Sequence, residues 1–409
     1  MSLADELLAL KREFLVPCVY HFYRRPPAFV RGEGEYLIDA DGRKYLDCYS
    51  GVTVTSAGHS NPEILGPAID QLGALQHTTT IYLSEPMLYL AREIASLAPG
   101  NLKRSFFCAS GSEANEGALL LSTLATGRDE CVYLRDGLHG RTKWAMSVTG
   151  LDMWRTDRQP LAIAHGVPGP RSPDSLTEIE RLLSTGRVAS VIVEPIQGNG
   201  GIIVPPDDYL PTLRDLCTRH GALLIADEIQ TAWNRTGTWF ASSHWGVVPD
   251  IVTVAKALGN GFPIAAYVTT DAIAAHYTRP GAATYGGNLV SCSAALATLS
   301  YHKREKLGER SATLGRYLLA RLQEAKSELP FITEVRGKGL MVGLELGDKP
   351  GMTGAILADE LLEVMKDEGF LLGKTGVGRN VLTLMPPLII SKRQLDEVVD
   401  TLVKLLRLS

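Results

Sequence analysis

Between about residue 60 and residue 305 the chain repeats one pattern, a short apolar run followed by a helical segment. The runs are RSFFCA (104–109), ECVYLR (130–135), SVIVE (190–194), ALLIAD (222–227), DIVTVA (250–255) and AAYVTT (265–270). Each suits a strand in length, and its nearly unbroken apolar character means burial on both faces. Between them lie segments such as SEANEGALLLSTLATG and PTLRDLCTRHG, the second closing on a Gly that suits a helix end. The alternation predicts an α/β fold in which a mixed, mostly parallel sheet is flanked by helices. No apolar run approaches the roughly 18 residues of a bilayer span, so no membrane partner is expected.

The flanks read differently. Residues 306–409 carry charged helical segments (SATLGRYLLARLQEAKSE, AILADELLEVMKDEG, KRQLDEVVDTLVKLLRL) around short strands in LMVGLEL and NVLTLMP. Residues 1–49 begin with an amphipathic helix. They continue into GEYLIDADGRKYLD, which alternates apolar and polar residues on either side of Asp41-Gly42, a tight-hairpin dipeptide. At 409 residues the chain is long for one core. The expected organisation is a large domain over 50–305 and a small α+β domain formed by 1–49 and 306–409.

Charge and cysteine usage exclude several partners. With 41 Lys and Arg against 45 Asp and Glu the net charge is −4, so the basic excess that binds a phosphate backbone is missing and no nucleic-acid partner is expected. Six scattered cysteines without a CxxC pair make neither a disulfide framework nor a zinc site. MSLADELLALKREF is acidic and amphipathic, without a signal core or transit pattern, which points to a cytoplasmic enzyme.

In open α/β sheets, ligands collect beyond the carboxyl ends of the strands. Three charged residues fall there: Glu194 after SVIV, Asp227 after ALLIA and Lys256 after IVTVA. A lysine beside a buried strand loses hydration, which favours the neutral amine that forms Schiff bases with aldehydes. An aspartate at a neighbouring strand end suits a protonated pyridine nitrogen. A lone strand-end lysine more simply pairs with Asp227 or with solvent. Ala109-Ser110-Gly111-Ser112-Glu113 opens a helix after RSFFC. Its small residues, cap and helix dipole suit a phosphate, although a capped surface helix would look the same. An acidic-strand nucleotide hydrolase is excluded, because the only GKT, Gly373-Lys374-Thr375, has Glu368 where a phosphate-binding loop needs Gly.

Over nearly its whole length the sequence resembles the class III, fold-type I pyridoxal-phosphate aminotransferases, near the ω-amino acid and alanine–glyoxylate types and the related amino-phosphonate and amino-phosphate lyases. The matching stretches are SGSEANEGA, LHGRT, VIVEPIQGNGGIIVPP, LLIADEIQTAWNRTG, VTVAKALGNGFPIAA and TYGGNLVSCSAALA. The resemblance implies pyridoxal 5′-phosphate held covalently by Lys256, which also moves the substrate proton. It further implies Asp227 on the pyridine nitrogen, Gln230 on the phenolic oxygen and Ile229 on a ring face. Gly111 and Ser112 would hold the phosphate, joined by Thr284 from the second subunit of a homodimer with active sites at its interface. Glu194 and His139 would line the site, His139 in a supporting role. Leu138 replaces the usual stacking aromatic.

Two departures bear on substrate. Members that use 2-oxoglutarate carry a Glu that gates a carboxylate-binding Arg, and here those positions are Asn199 and Thr383. This argues against ornithine- or acetylornithine-type specificity. Arg141, in HGRT, is retained and is read as the anchor for a distal acid group. Lys143, Arg24 and Arg25 are more simply solvated surface charges. The expected activity is transamination of an ω-amino acid or small primary amine, with pyruvate or glyoxylate as acceptor. The alternative is a lyase releasing ammonia or phosphate from an amino-alkyl phosphonate or phosphate, such as a 1-hydroxy-2-aminoethylphosphonate.

Overall fold

The computed structural model describes residues 2–408. Among them the strands form three sheets. The largest runs, in spatial order, Arg104–Cys108, Ala265–Thr269, Ile251–Val254, Leu223–Asp227, Val188–Val193, Glu130–Leu134 and Ala164–Val167. Neighbours from Ile251–Val254 to Ala164–Val167 are parallel, and Ala265–Thr269 is antiparallel to both of its neighbours. The sheet is therefore mixed and mostly parallel, as the apolar runs predict. Every residue of Val188–Val193 and of Ala265–Thr269 is buried.

Alternate side chains along a strand feed opposite faces. Val191 and Val193 pack with Ile179 and Leu213 of the helices on one side, whereas Ile192 packs with Ala114 and Ala118 of helix Gly111–Thr126 on the other. Two covered faces explain runs with no polar alternation. The edge strand Ala164–Val167 was not anticipated, because AHGV is short and carries a polar residue and a glycine.

Tyr36–Asp39 and Lys44–Asp47 form the expected antiparallel hairpin. Its connection spans residues 40–43, longer than the tight two-residue turn read from Asp41-Gly42. Asp39 Oδ1 accepts the N–H groups of Asp41 and Arg43, and Gly42 takes φ 82°. The hairpin continues into Phe370–Leu371, which pairs parallel with Leu46 and Asp47. The third sheet, ordered Ile332–Lys338, Met341–Leu346, Val381–Leu384 and Gly373–Thr375, is antiparallel throughout. Leu318, Leu361 and Val398 of helices Leu307–Glu328, Gly354–Asp367 and Lys392–Leu408 cover it in one core.

Helix Leu3–Phe14 starts with a Ser2–Asp5 capping box and buries none of its residues. Among the described residues no helix is long and apolar enough to cross a membrane, and no cluster of His, Cys, Asp and Glu could hold a metal ion.

Candidate active site

Three adjacent parallel strands bring their carboxyl ends to one place. Asp227 is the last residue of Leu223–Asp227, Glu194 follows Val188–Val193, and Lys256 lies two residues beyond Ile251–Val254 with φ 46°. All three line a cavity of about 390 Å³. Gly111, Ser112, Leu138, His139, Ile229 and Gln230 line it too, so most of the residues singled out from sequence meet there. Thr284 and Arg141 are exposed and lie outside that lining. Thr284 was expected to act on a second subunit's site. Arg141 is tethered through its backbone N–H, which donates to Ser112 Oγ at 3.1 Å. Lys143 pairs with Asp157 at 2.5 Å and Arg24 with Glu360 at 2.9 Å, which agrees with their reading as surface charges.

The aspartate is held rigidly. Asp227 Oδ2 accepts from Asn115 Nδ2 at 2.8 Å and from His139 Nδ1 at 2.7 Å, and Oδ1 accepts the Ile229 N–H at 3.1 Å. Asn115 also donates to the His139 carbonyl at 2.7 Å and accepts from Thr253 Oγ1 at 2.7 Å. Sequence reasoning passed over Asn115. The available signal was its place four residues after Gly111, one helical turn in and on the same face. His139 Nε2 is buried without a hydrogen-bond partner.

The Lys256 amine makes no hydrogen bond or ion pair among the described residues. Burial pushes its amine toward the neutral form, against the charges of Asp227 and Glu194. Burial also pushes the Glu194 carboxyl up to about 7. The Asp227 charge adds to that rise, whereas His139 and the N–H groups of Leu138 and Gly198 oppose it. Glu194 Oε1 accepts from Leu138 N and Oε2 from Gly198 N, both at 2.9 Å, so this carboxylate ties two cavity loops together.

The segment expected to cradle a phosphate is the start of helix Gly111–Thr126. Ser110 Oγ accepts from Glu113 N at 3.3 Å, and Glu113 Oε2 accepts the N–H groups of Ala109 and Ser110, each at 2.9 Å. That capping box leaves the Gly111 and Ser112 N–H groups without an acceptor among the described residues. They are positive-end donors at the rim of the cavity. Side chains would close the cradle: a Cβ on Gly111 would sit 2.8 Å from Ile229 Cδ1, and one on Gly140 2.5 Å from Ser112 Oγ. Free helix N–H groups, a fixed carboxylate and an unpartnered amine form a donor set that fits pyridoxal 5′-phosphate.

Of the two departures, Asn199 lines the cavity. Thr383 is fully buried in Val381–Leu384 opposite Gly373, and its Oγ1 has no partner. Val54 and Phe262 also reach the cavity wall, unforeseen from sequence.

Residues 23–406 match the family described as Aminotransferase class-III. The chain is 39% identical to the alanine–glyoxylate aminotransferase 2 homolog 2, mitochondrial, of Arabidopsis thaliana, over 98% of this chain and 87% of that protein. It is 35% identical to the acetylornithine aminotransferase of Methanothermobacter thermautotrophicus, over 98% of each. Among solved structures, a phospholyase from Arthrobacter in complex with phosphoethanolamine superposes with TM-score 0.90 at 30% identity, covering 98% of this chain and 99% of that one.

Proposed function

Belonging to the class-III aminotransferase family, this chain is an enzyme that works with pyridoxal 5′-phosphate, and we propose that it moves the amino group of an ω-amino acid or small primary amine with a distal acid group onto pyruvate or glyoxylate. The carrying observation is the convergence of Lys256, Asp227 and the open Gly111–Ser112 N–H pair on one cavity. When bound, pyridoxal 5′-phosphate supplies an aldehyde that captures the amine and a ring that takes up the electron pair left by proton removal.

The chain's residues do the rest. Lys256 would hold the cofactor and move the proton, and burial pushes its amine toward the neutral, nucleophilic form. Asp227, fixed by Asn115 and His139, would bond the ring nitrogen. Gln230 would bond the phenolic oxygen, and Ile229 and Leu138 would pack against the ring. Leu138 forgoes an aromatic stack worth about 0.5–1.5 kcal/mol. Arg141, whose planar fork suits carboxylate and phosphonate alike, anchors the distal acid group. We also propose a cytoplasmic homodimer in which Thr284 completes the partner's phosphate site. Ile81 and Leu83, 83% and 91% exposed, with Tyr82 and Tyr285, support a covering subunit.

The alanine–glyoxylate relative supports the acceptor. The absent charge pair at Asn199 and Thr383 counts against 2-oxoglutarate, and so against the specificity of the acetylornithine relatives. The same absence, with the phospholyase likeness, favours a second reading. An enzyme that eliminates ammonia or phosphate from an amino-alkyl phosphonate or phosphate needs no acceptor. From 1-hydroxy-2-aminoethylphosphonate the products would be ammonia and an aldehyde phosphonate.

The deciding experiment mixes holoenzyme with ω-amino carboxylates, amino-alkyl phosphates and aminoethylphosphonates, with and without pyruvate or glyoxylate. Turnover that requires the keto acid supports transamination. Sustained ammonia or phosphate release without it overturns that reading in favour of the lyase.

A further inference from the structure

We propose that Ser50–Thr53 is a strained positioning turn that fixes Val54 in the cavity wall and so limits the size of amine the site accepts; this rests on the reading of that cavity as the active site. Four consecutive residues have positive φ: 53° at Ser50, 58° at Gly51, 66° at Val52 and 62° at Thr53. The Thr53 N–H donates to the Tyr49 carbonyl at 3.1 Å and the Val54 N–H to the Ser50 carbonyl at 2.7 Å. This is one turn of a left-handed α-helix. Only Gly51 adopts it freely, and the β-branched Val52 and Thr53 are among the residues least suited to it.

Such a conformation persists only where its surroundings over-determine it. Asp47 Oδ1 accepts the N–H groups of Tyr49 and Ser50 at 2.9 and 2.8 Å, and Asp47 Oδ2 bonds His59 Nε2 at 2.8 Å. Ser50 Oγ donates to the Met385 carbonyl at 2.8 Å. Downstream, Ser56 Oγ accepts from Arg235 Nη2 at 3.1 Å, and Asn260 Oδ1 accepts the Ala57 N–H at 2.9 Å.

These pins connect to the site on two sides. Met385 Sδ lies 3.5 Å from Gln230 Nε2, and Asn260 belongs to the loop that follows Lys256. Val54 leaves the turn directly into the cavity wall. A right-handed or extended path through Ser50–Thr53 would redirect the chain at Val54 and change the space beside Lys256. The strain and the pins therefore oppose each other, and the outcome is the position of one wall side chain.

The test uses holoenzyme and amines of increasing chain length. Ser50→Ala removes one pin and should raise KM about tenfold while kcat and bound cofactor stay near wild type. Adding Val52→Gly lowers the cost of the left-handed turn and should return KM to within about twofold of wild type. Val54→Ala, which leaves the turn intact, should shift kcat/KM toward longer amines. An unchanged KM in Ser50→Ala, no recovery on adding Val52→Gly, or an unchanged length preference in Val54→Ala would each overturn the proposal. If Ser50→Ala does not fold, the Val54→Ala length preference alone decides. Wild-type enzyme that turns over no amine would instead refute the active-site reading, before any variant is compared.

Discussion

At the residue scale the site depends on Lys256, Asp227 and Glu194. Lys256→Ala should abolish turnover while the protein still takes up pyridoxal 5′-phosphate non-covalently; retained turnover would remove Lys256 from its assigned role. Asp227→Asn keeps the shape and loses the charge proposed to face the ring nitrogen, so kcat should fall by orders of magnitude at similar cofactor content. Glu194 makes a prediction about pH. Its folded pKa is raised to about 7, above that of the unfolded chain, so the native state keeps the proton longer. Its contribution to stability is present in full below the unfolded value and is lost as pH rises through about 7. Glu194→Gln does not ionise, and its Tm should fall less than wild type's between about pH 5 and pH 8. Parallel curves would show that the carboxyl does not titrate in that window. Lys256, Asp227 and Glu194 were legible in sequence because they end neighbouring apolar strands in a chain that also carries a small-residue helix start suited to phosphate, a joint signal that none of them gives alone. Asn115 was not, because its value lies in three partners from distant segments, and no local pattern announces them.

At the element scale the strand Val381–Leu384 carries the substrate question. Thr383 sits there without exposure and without a partner for its hydroxyl. Thr383→Arg should cost about 3–5 kcal/mol, because it places an unpaired charge in that strand. Adding Asn199→Glu should recover part of the loss and improve turnover with 2-oxoglutarate. Equal denaturation midpoints for the single and double variants would show that the two positions do not face one another. Strands were the most readable elements. Six of the seven in the large sheet follow from apolar runs, because burial on both faces writes itself into every residue. The seventh, Ala164–Val167, lies at an edge with one neighbour, and less of it needs to be apolar. The left-handed turn at Ser50–Thr53 was invisible for the opposite reason. Local propensity disfavours it by about 1–2 kcal/mol per non-glycine residue, and only tertiary pins reverse the balance.

At the scale of the whole molecule the proposed homodimer makes a sharp prediction. Leu83, 91% exposed, should lie under the second subunit. Leu83→Asp should give a monomer by sedimentation, with loosened cofactor because Thr284 no longer reaches its partner's site. A dimer of unchanged affinity would place the interface elsewhere.

The pairing of Leu46 with Phe370 has a consequence for how the chain is made. The hairpin leaves the ribosome more than 300 residues ahead of the strand that pairs with it, Leu46 against Phe370. At about 5–20 residues per second the hairpin waits roughly a quarter of a minute to a minute with one edge open. An open edge of that lifetime is a template for the wrong strand, including one from a neighbouring nascent chain. Yield in the cell should therefore depend on translation rate and on whatever shields that edge, even in variants whose finished fold is fully stable.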